Sequence, residues 1–424
     1  MPLHNSTQEY LYELADCVRQ RKWEYAAVAA ELLSVRDDHV ELRFLWQEQP
    51  DQLQLRRMFA QPFDGIVASH LRILALLSQA RYEAAYKAQA QMAQIFVKEV
   101  IQKQTGNWFL PLCCRICADL RLIAKAADHS RNRTATTNDN EIDDVTRTDT
   151  QQETSSLYET SAGTIMDCYR ACVTDSRTAP ELSKRLSLLN LTNQLFRVYF
   201  RINKLNLLKP LIRAVDNCGA LWEHFSMADK VTYKYYIGRK AMFDSNLSEA
   251  ENSLQYAFVN CPPECKKNRR LILMYLVPVK MFLGHMPSDR LLQQHNLQQF
   301  SQVAQAVREG NLLALDAALE QHEHFFIHCG IFLMLEKLKV ITYRTLFKKV
   351  CRIMDTHQIP LDAFLTALKF MKVEDVDADE VACIIANLIY QGRIKGYLSH
   401  QHQKLVISKQ NPFPALSTVV NVAS

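Results

Sequence analysis

Glycine is scarce in this chain, and its scarcity limits the folds that the chain can adopt. The sequence has 424 residues but only 10 glycines and 13 prolines, so glycine is about 2.4 % of the chain against an average near 7 %. Architectures rich in tight turns need glycine for positive φ, so sandwiches, propellers and large barrels are disfavoured. With 48 % hydrophobic residues, the chain is predicted to be mostly helical and to form about two or three domains.

The same glycines are placed too far apart for the common phosphate-binding loops. No two of them are separated by a single residue, as a dinucleotide-binding turn requires, and none precedes a Lys-Ser or Lys-Thr pair. The sequence also lacks the GxSxG, HExxH and protein-kinase motifs. We therefore predict that the protein is not an enzyme and has no cofactor and no small-molecule substrate.

The twelve cysteines are scattered through apolar, helical contexts, which favours free thiols in a reducing compartment over disulfides. Cys114 and Cys117 form a CxxC pair, but no second CxxC pair follows, so buried thiols are expected there rather than a metal ion. The longest apolar run, Leu271 to Val279, is too short to span a bilayer. The sequence therefore predicts neither a metal site nor a contact with the membrane.

Helical periodicity covers the chain on both sides of a polar stretch that is rich in Thr and Asp and has no period. That stretch is predicted to be a disordered linker. Five parts follow: N-terminal helical repeats (1–128), the linker (129–163), a second set of helical repeats (164–335), a C-terminal domain (336–410) and a tail (411–424). Helices are predicted over Trp108–Ala127, Leu186–Asn203, Lys209–Asp216, Ala228–Phe243, Ser248–Val259 and Leu271–Leu283.

Several of these helices share a helix–turn–helix pattern. In the best copy, from Tyr233 to Pro262, Gly238, Ala250 and Ala257 occupy positions that are small in tetratricopeptide repeats. Small residues there allow two helices to approach closely. The other copies have no fixed period, so the pattern predicts an irregular α-solenoid rather than a regular array.

The last hundred residues no longer show the repeat pattern and instead predict a winged helix, with three helices followed by two short strands. A helix over Ile341–Met354 is followed by a second that begins after Pro360. Asp377 or Asp379 is placed to cap a third helix, and Gly392 to end it in the left-handed conformation. Two short strands complete the pattern, Ile394–Leu398 and Lys404–Ser408.

This end of the chain resembles the PCI domain, which builds the proteasome lid, the COP9 signalosome and translation initiation factor three. The likeness lies in Glu380–Leu398, with its acid-initiated helix, its Gly-x-Ile-x-Gly turn and its hydrophobic strand. Asn193–Leu205, Val231–Phe243 and His400–Pro414 resemble one branch, the PCI domain-containing protein two family. That family is the PCI subunit of a nuclear mRNA-export complex, called TREX-two below.

The resemblance implies a non-enzymatic adaptor that sits on a GANP/Sac-type scaffold protein together with a small acidic DSS/Sem-type protein. It implies a nuclear location, near the nuclear pore, with room for a cytoplasmic pool. The joint surface would bind RNA or DNA with weak sequence selectivity and couple transcription to mRNA export. The alternative is a PCI scaffold subunit of a proteasome-lid, COP9 signalosome or initiation-factor assembly.

Basic residues concentrate in the C-terminal part, where residues 181–424 contain 30 basic and 21 acidic residues, a net charge of +9. Arg344, Lys348 and Arg352 are spaced by four and line one helical face. Cations on such a face suit phosphate contacts, with a scaffold contact or a solvated surface as the alternatives. The candidate nucleic-acid contacts are Lys337, Lys339, Arg344, Lys348, Lys349, Arg352, Lys369, Lys372, Arg393, Lys395 and Lys404.

A second basic cluster lies at a predicted helix start, where cations oppose the helix dipole and an external anion or an acidic partner would offset the cost. Its residues are Lys266, Lys267, Arg269 and Arg270. Arg197 and Arg201, close to aromatic residues, are further candidates for a partner contact. A solvated surface is the alternative for both groups.

Overall fold

The computed structural model describes residues 6–138, 156–177, 179–373 and 376–419. The chain divides into two compact units, Met1–Tyr233 and Lys234–Ser424. Most of the described residues are helical, and the few strands lie near the C-terminus, so the predicted fold class, a helical solenoid with a C-terminal winged helix, is confirmed. No helix in the described ranges is both long and apolar enough to cross a membrane.

The N-terminal unit contains ten α-helices within its described residues, and an eleventh crosses the division between the units. From α4 to α8, each helix packs on the next one along the chain, as in a helical-repeat protein. The helices are α1 (Thr7–Gln20), α2 (Trp23–Leu32), α3 (Gln52–Met58), α4 (Phe63–Ser78), α5 (Tyr82–Ile95), α6 (Leu110–Asn138), α7 (Leu157–Val173), α8 (Leu188–Arg201), α9 (Leu208–Asp216), α10 (Leu221–His224) and α11 (Met227–Phe243).

The predicted linker is shorter than the sequence indicates. Helix α6 continues to Asn138, eleven residues past its predicted end, and α7 begins at Leu157. The start of α7 is fixed by Asp128, whose carboxylate accepts hydrogen bonds from the backbone N–H groups of Leu157 and Tyr158 at 2.9 and 3.0 Å. Both ends of the polar stretch are therefore helical, and its middle part, residues 139–155, lies outside the described residues.

The second unit begins with a further helical-repeat region. Gly238 of α11 faces the next helix so closely that a Cβ atom there would lie 2.5 Å from Cγ of Leu254, which explains the small residue at this crossing. The helices that follow are α12 (Leu247–Asn260), α13 (Lys266–Phe282), α14 (Asp289–Gln294), α15 (Gln299–Glu309), α16 (Leu312–Gln321), α17 (Glu323–Cys329) and α18 (Phe332–Glu336).

The C-terminal part is a winged helix with one strand more than predicted. Its elements are α19 (Lys339–Met354), β1 (Gln358–Pro360), α20 (Leu361–Phe370), α21 (Ala378–Tyr390), β2 (Gly396–Ser399), β3 (Lys404–Ile407) and α22 (Leu416–Val419). The sheet is antiparallel in the order β1-β3-β2, with Leu405 paired to Ile359 on one side and to Leu398 on the other. Three residues ending in proline are too few to show a strand period, so β1 was not predicted.

Local signals set the ends of α21 as expected. The Asp377 carboxylate accepts a hydrogen bond from the backbone N–H of Glu380 at 2.8 Å, which satisfies one of the free donors of the first turn. Gly392 has φ of 68° and ends the helix in the left-handed conformation. Gly310, with the same φ, ends α15 so close to α19 that a Cβ atom there would lie 2.6 Å from the backbone nitrogen of Leu346.

Aromatic and aliphatic side chains from α19, α20 and α21 and from the sheet form one core. The rings of Phe347 and Phe364 lie 4.9 Å apart between centroids, and Ile385 and Leu405 are buried with them. Phe413, beyond the predicted domain end at residue 410, belongs to the same core. The chain after the wing therefore packs on the winged helix rather than leaving it as a free tail.

Candidate nucleic-acid and partner interface

Arg344 does not lie on the exposed face that its spacing predicts. Its side chain is buried, because the chain after the wing crosses α19 at this point. The guanidinium donates from Nε to the carbonyl of Arg393 at 3.2 Å and from Nη2 to the carbonyl of Pro414 at 2.6 Å. It also lies 5.7 Å from the centre of the Phe413 ring. The expectation of a solvent-facing Arg344 is thus wrong, and this arginine holds the C-terminal segment in place.

Lys348 and Arg352, one and two turns further along α19, keep their side chains at an open cleft. The cleft has a volume of about 370 Å³, and Pro412 and Phe413 line its other side. Burial lowers the pKa of Lys348, and the charges of Arg352 and Arg344 lower it further. Three cations thus repel one another here, while Asp355 is the one acidic residue among those that line the cleft. An external anion between Lys348 and Arg352 would relieve that repulsion.

The other cations of the α19 region differ in whether they are exposed or already paired with an acidic side chain of the chain. Lys349 and Lys337 are exposed. The ammonium of Lys339 lies 2.8 Å from the Asp316 carboxylate, and this hydrogen-bonded pairing raises the pKa of Lys339. Lys339 therefore has a partner within the chain, and Lys349 is the better candidate for a phosphate contact.

Arg393 lies beside a second, apolar cavity. Its Nε and Nη1 atoms are buried and have no hydrogen-bond partner among the residues that the structure describes. Burial and the neighbouring charge of Arg344 both lower its pKa. The cavity has a volume of about 600 Å³. It is lined by Met242, Phe243, Ser245, Leu247, Phe282, Ile327, Gly330, Phe332, Leu333, Met334, Lys337 and Arg393. We call it the Arg393 groove.

The remaining winged-helix candidates lie on α20 and on the wing. Lys369 and Lys372 are exposed at and just after the end of α20, and Lys404 is half-buried in β3. Lys395 is exposed, and its backbone N–H donates to the carbonyl of Pro412 at 2.8 Å. Because Pro412 also lines the Lys348 cleft, the backbone of Lys395 lies beside a residue of that cleft.

At the start of α13 only part of the predicted cluster is left for an external anion. Arg269 donates to the carbonyls of Phe258 and Cys261 at 3.3 and 2.7 Å and stacks on the Phe258 ring. Arg270 donates to the carbonyl of Asn296 at 3.3 Å. Lys266 and Lys267 are exposed in the first turn. The two arginines thus bind loop carbonyls, and the two lysines remain as candidates.

The two candidates on α8 are involved in aromatic packing in the N-terminal unit. The guanidinium carbon of Arg201 lies 5.3 Å from the centre of the Tyr158 ring. The backbone carbonyl of Arg197 accepts a hydrogen bond from the hydroxyl of the same tyrosine. Arg201 is exposed and Arg197 is half-buried, so a partner contact at either residue stays a prediction.

Sequence reasoning missed a set of exposed aromatic side chains on the winged helix. Phe370 at the end of α20, Tyr390 at the end of α21 and Tyr397 in β2 are 82 %, 88 % and 63 % exposed. By contrast, Val381, Ile385 and Leu388 on the other side of α21 are buried in the core. The helical period of α21 could have indicated the exposure of Tyr390. This residue comes two positions after Leu388 of the apolar face and therefore points away from that face.

Helical repeats that end in a winged helix define the class of PCI-domain proteins. The family model for the PCI domain matches residues 319–409. A "PCI domain-containing protein 2 homolog" from Caenorhabditis elegans is 49 % identical over 423 residues, 99 % of each chain. The "PCI domain-containing protein 2" of Danio rerio is 46 % identical over 98 % of this chain and 99 % of its own length.

More distant relatives extend across kingdoms. The "Enhanced ethylene response protein 5" of Arabidopsis thaliana is 32 % identical over 98 % of this chain and 96 % of its own. With such identity over nearly the full length, this chain belongs to the PCI domain-containing protein 2 family. The family is of the scaffold type.

Proposed function

We propose that this chain is a non-enzymatic scaffold subunit of a nuclear mRNA-export complex of the TREX-two type. Its membership of the PCI domain-containing protein 2 family supports a scaffold role. The observation that carries the nucleic-acid part of the proposal is the cleft with Lys348 and Arg352 on one side of α19. The proposal places the protein in the nucleus, near the nuclear pore, with a cytoplasmic pool allowed.

The cleft suits a phosphodiester backbone better than a base edge. Phosphate contacts need cations but carry little sequence information, and Lys348 and Arg352 supply two cations that line the cleft. The helix that would read bases in a sequence-specific winged helix, α21, has Asp379 and Glu380 in its first turn and contains no basic residue. The expected ligand is therefore RNA or DNA bound with weak sequence selectivity.

The exposed aromatics favour a single strand over a duplex. Tyr397 lies in β2 two residues after Lys395, and its ring is mostly solvent-exposed. Unpaired bases stack on such rings without regard to sequence, for about 1–3 kcal/mol per base. A cation and an aromatic ring next to each other on the wing thus fit a strand whose bases are free.

A matched pair of charge reversals tests the nucleic-acid surface. The variant Lys348→Glu/Arg352→Glu is compared with Lys266→Glu/Lys267→Glu, which changes the net charge equally at the start of α13. Binding of a labelled single-stranded RNA is followed by fluorescence anisotropy over a range of salt. We expect the first variant to bind at least about tenfold more weakly and to have a log–log salt slope less steep by about 1.4, from two lost phosphates.

The control variant, Lys266→Glu/Lys267→Glu, shows which results would contradict the proposal. It should bind RNA like the wild type, since Lys266 and Lys267 lie outside the cleft and are assigned below to the acidic partner protein. If both variants lose affinity equally, net charge rather than the cleft governs binding. If neither does, the cleft is not the binding surface.

The Arg393 groove is the surface that we assign to the GANP/Sac-type scaffold. Its walls are apolar, Leu333 is 71 % exposed at its edge, and the buried donors of Arg393 have no acceptor within the described chain. An amphipathic segment with one carboxylate would cover the apolar side chains and satisfy the guanidinium. The small acidic DSS/Sem-type protein is the proposed partner for the exposed cations outside the cleft.

Affinity purification from nuclear extract tests the assembly. The wild-type chain is compared with Leu333→Asp and with the control Leu313→Asp, a leucine that is also exposed but outside the groove. We expect the wild type and the control to retain the GANP/Sac-type scaffold and Leu333→Asp to lose it. Recovery of proteasome-lid, COP9 signalosome or initiation-factor subunits with the wild type would refute the export-complex proposal in favour of the alternative.

A further inference from the structure

Four cysteines of the N-terminal unit converge where α6 packs on α7. Cys113 and Cys117 are four residues apart on α6, and Cys168 and Cys172 are four residues apart on α7, so each pair lies on one helical face. The Sγ atoms of Cys113, Cys117 and Cys168 all lie within 4.8 Å of one another. Cys172 is buried one helical turn after Cys168 on the same face of α7. All four side chains are essentially without solvent contact.

We propose that this cluster binds one thiophilic d10 metal ion, Zn²⁺ or Cu⁺, through the thiolates of Cys113, Cys117 and Cys168, with Cys172 as a fourth ligand. Each ligating thiol gives up its proton to solvent when the ion binds. The site would tie α6 to α7 and thereby stabilise the N-terminal unit. This proposal does not depend on the proposed function, since it concerns the stability of a different part of the chain.

The sulfur positions need little movement to accept such an ion. A trigonal site with metal–sulfur bonds of about 2.3 Å places its sulfur atoms about 4.0 Å apart, and a tetrahedral one about 3.8 Å apart. Three sulfurs at most 4.8 Å apart can therefore reach bonding distance by shifts of about 0.5 Å each. Small χ1 rotations of cysteine provide shifts of this size without moving the helices.

The burial of the four sulfurs also favours a bound cation over free thiolates. A buried thiolate without a counter-charge is costly. The bound ion supplies the counter-charge, so that four thiolates on Zn²⁺ carry a net charge of −2 rather than −4, which lowers that cost.

The pairing of the two helices explains why sequence reasoning missed this cluster. A search for CxxC pairs selects Cys114 and Cys117, but only Cys117 of these faces the other cysteines. The relevant spacing is Cys-x-x-x-Cys, repeated 55 residues later along the chain. In a helix the i, i+4 spacing brings two side chains to one face. Two such pairs on packed helices therefore form a candidate four-thiol site.

Metal analysis of the full chain tests the proposal. The protein is expressed in zinc-supplemented and in copper-supplemented medium, dialysed, and analysed by inductively coupled plasma mass spectrometry. We expect about one ion per chain from one of the two media. The variant Cys113→Ser/Cys168→Ser should lose it, whereas the control Cys17→Ser/Cys218→Ser should keep it, since those two cysteines are buried in the same unit outside the cluster. Equal metal content in the two variants would overturn the proposal.

A measurement on the wild type covers the case in which the cluster variant fails to fold. Protein stripped with a chelator is titrated with Co²⁺, a spectroscopic substitute for Zn²⁺, and separately with Cu⁺ under anaerobic conditions. We expect sulfur-to-metal charge-transfer absorption and a higher melting temperature with at least one of the ions. The absence of both effects, or an intact mass lower by the two hydrogens of a disulfide under non-reducing conditions, would overturn the proposal.

Discussion

Arg344 of the winged helix and two side chains of the N-terminal unit, Asp119 and His70, are buried in opposite ways. In the winged helix, Arg344 is buried with two carbonyl acceptors for its guanidinium. In the N-terminal unit, Asp119 accepts a single hydrogen bond, from the backbone N–H of Val35 at 3.3 Å. His70 is fully buried with no hydrogen-bond partner for either ring nitrogen in the described part of the chain.

The difference follows from what each group can do with its charge. A guanidinium stays protonated at any physiological pH, so its burial requires acceptors, which the chain itself supplies for Arg344. A carboxyl or an imidazole can become neutral instead, and then needs fewer partners. Burial accordingly raises the pKa of Asp119 to about 7 and lowers that of His70 to about 3. The two regions should therefore respond to substitution and to pH in different ways.

The largest effect is expected for Arg344→Ala. This change removes the donors that hold the carbonyls of Arg393 and Pro414 and uncovers Phe413, so we expect a loss of about 2–4 kcal/mol in the free energy of unfolding. The loss should be the same from pH 5 to pH 8, because no titrating group is involved. Urea denaturation of the full chain provides the measurement.

Two controls make that result specific. Lys349→Ala, on the exposed side of the same helix, should change the free energy of unfolding by less than about 0.5 kcal/mol. Arg344→Lys should recover only part of the stability, because one ammonium cannot reach both carbonyls as the guanidinium fork does. If Arg344→Ala were as mild as Lys349→Ala, the C-terminal segment would not depend on this arginine.

Arg344 also shows which features can be predicted from the sequence and which cannot. Helical spacing correctly placed Arg344, Lys348 and Arg352 on one face of α19, and the PCI resemblance correctly indicated the winged helix. The spacing could not show that residues 412–414 return across that face and bury the first of the three. Such coverage depends on a contact between segments some 70 residues apart in sequence, and periodicity reports only on neighbours.

Tertiary structure also explains why the sequence predicts the end of α6 too early and does not predict β1. The polar sequence after Ala127 looks like a linker because it has no apolar period, yet the helix continues to Asn138. A helix that is already nucleated and packed can extend through residues of moderate propensity. Strand β1 is three residues long and forms because β3 offers it a pairing edge, which is a tertiary cause.

Asp119→Asn, in the N-terminal unit, should have the next largest effect on stability, and this effect should depend on pH. The pKa of this carboxyl is about 7 in the folded chain and near 3.9 in an unfolded one. Between these values the folded state binds more protons, so the wild type loses stability as the pH rises, by on the order of 1 kcal/mol per pH unit. Asparagine cannot ionise and still accepts the N–H of Val35, so the variant should lack this slope.

Thermal unfolding of both proteins from pH 4 to pH 8 checks the slope. The two should be similar near pH 4, and the variant should be the more stable one at pH 8. The charges of Arg115 and Arg36 partly oppose the effect of burial on Asp119 and so limit the size of the difference. A difference that stays constant with pH would show that Asp119 does not titrate in this window.

His70→Phe should have the smallest effect at neutral pH and the opposite dependence in acid. The pKa of His70 is about 3 in the folded chain, because burial and the neighbouring His39 disfavour the imidazolium, and near 6.5 in an unfolded chain. The stability that comes from the neutral ring is present above pH 6.5 and is lost as the pH falls below it. Phenylalanine keeps the aromatic packing and has no proton to gain.

The slopes from Asp119 and His70 oppose each other between pH 4 and pH 6.5, so the wild type should change little there on account of these two groups. In His70→Phe only the Asp119 slope remains, and this variant should gain stability relative to the wild type as the pH is lowered from 6.5 to 4. Thermal unfolding over that interval shows the gain directly. The same pH dependence in His70→Phe as in the wild type would mean that His70 binds no proton on unfolding, and the contrast with the pH-independent Arg344 would then rest on Asp119 alone.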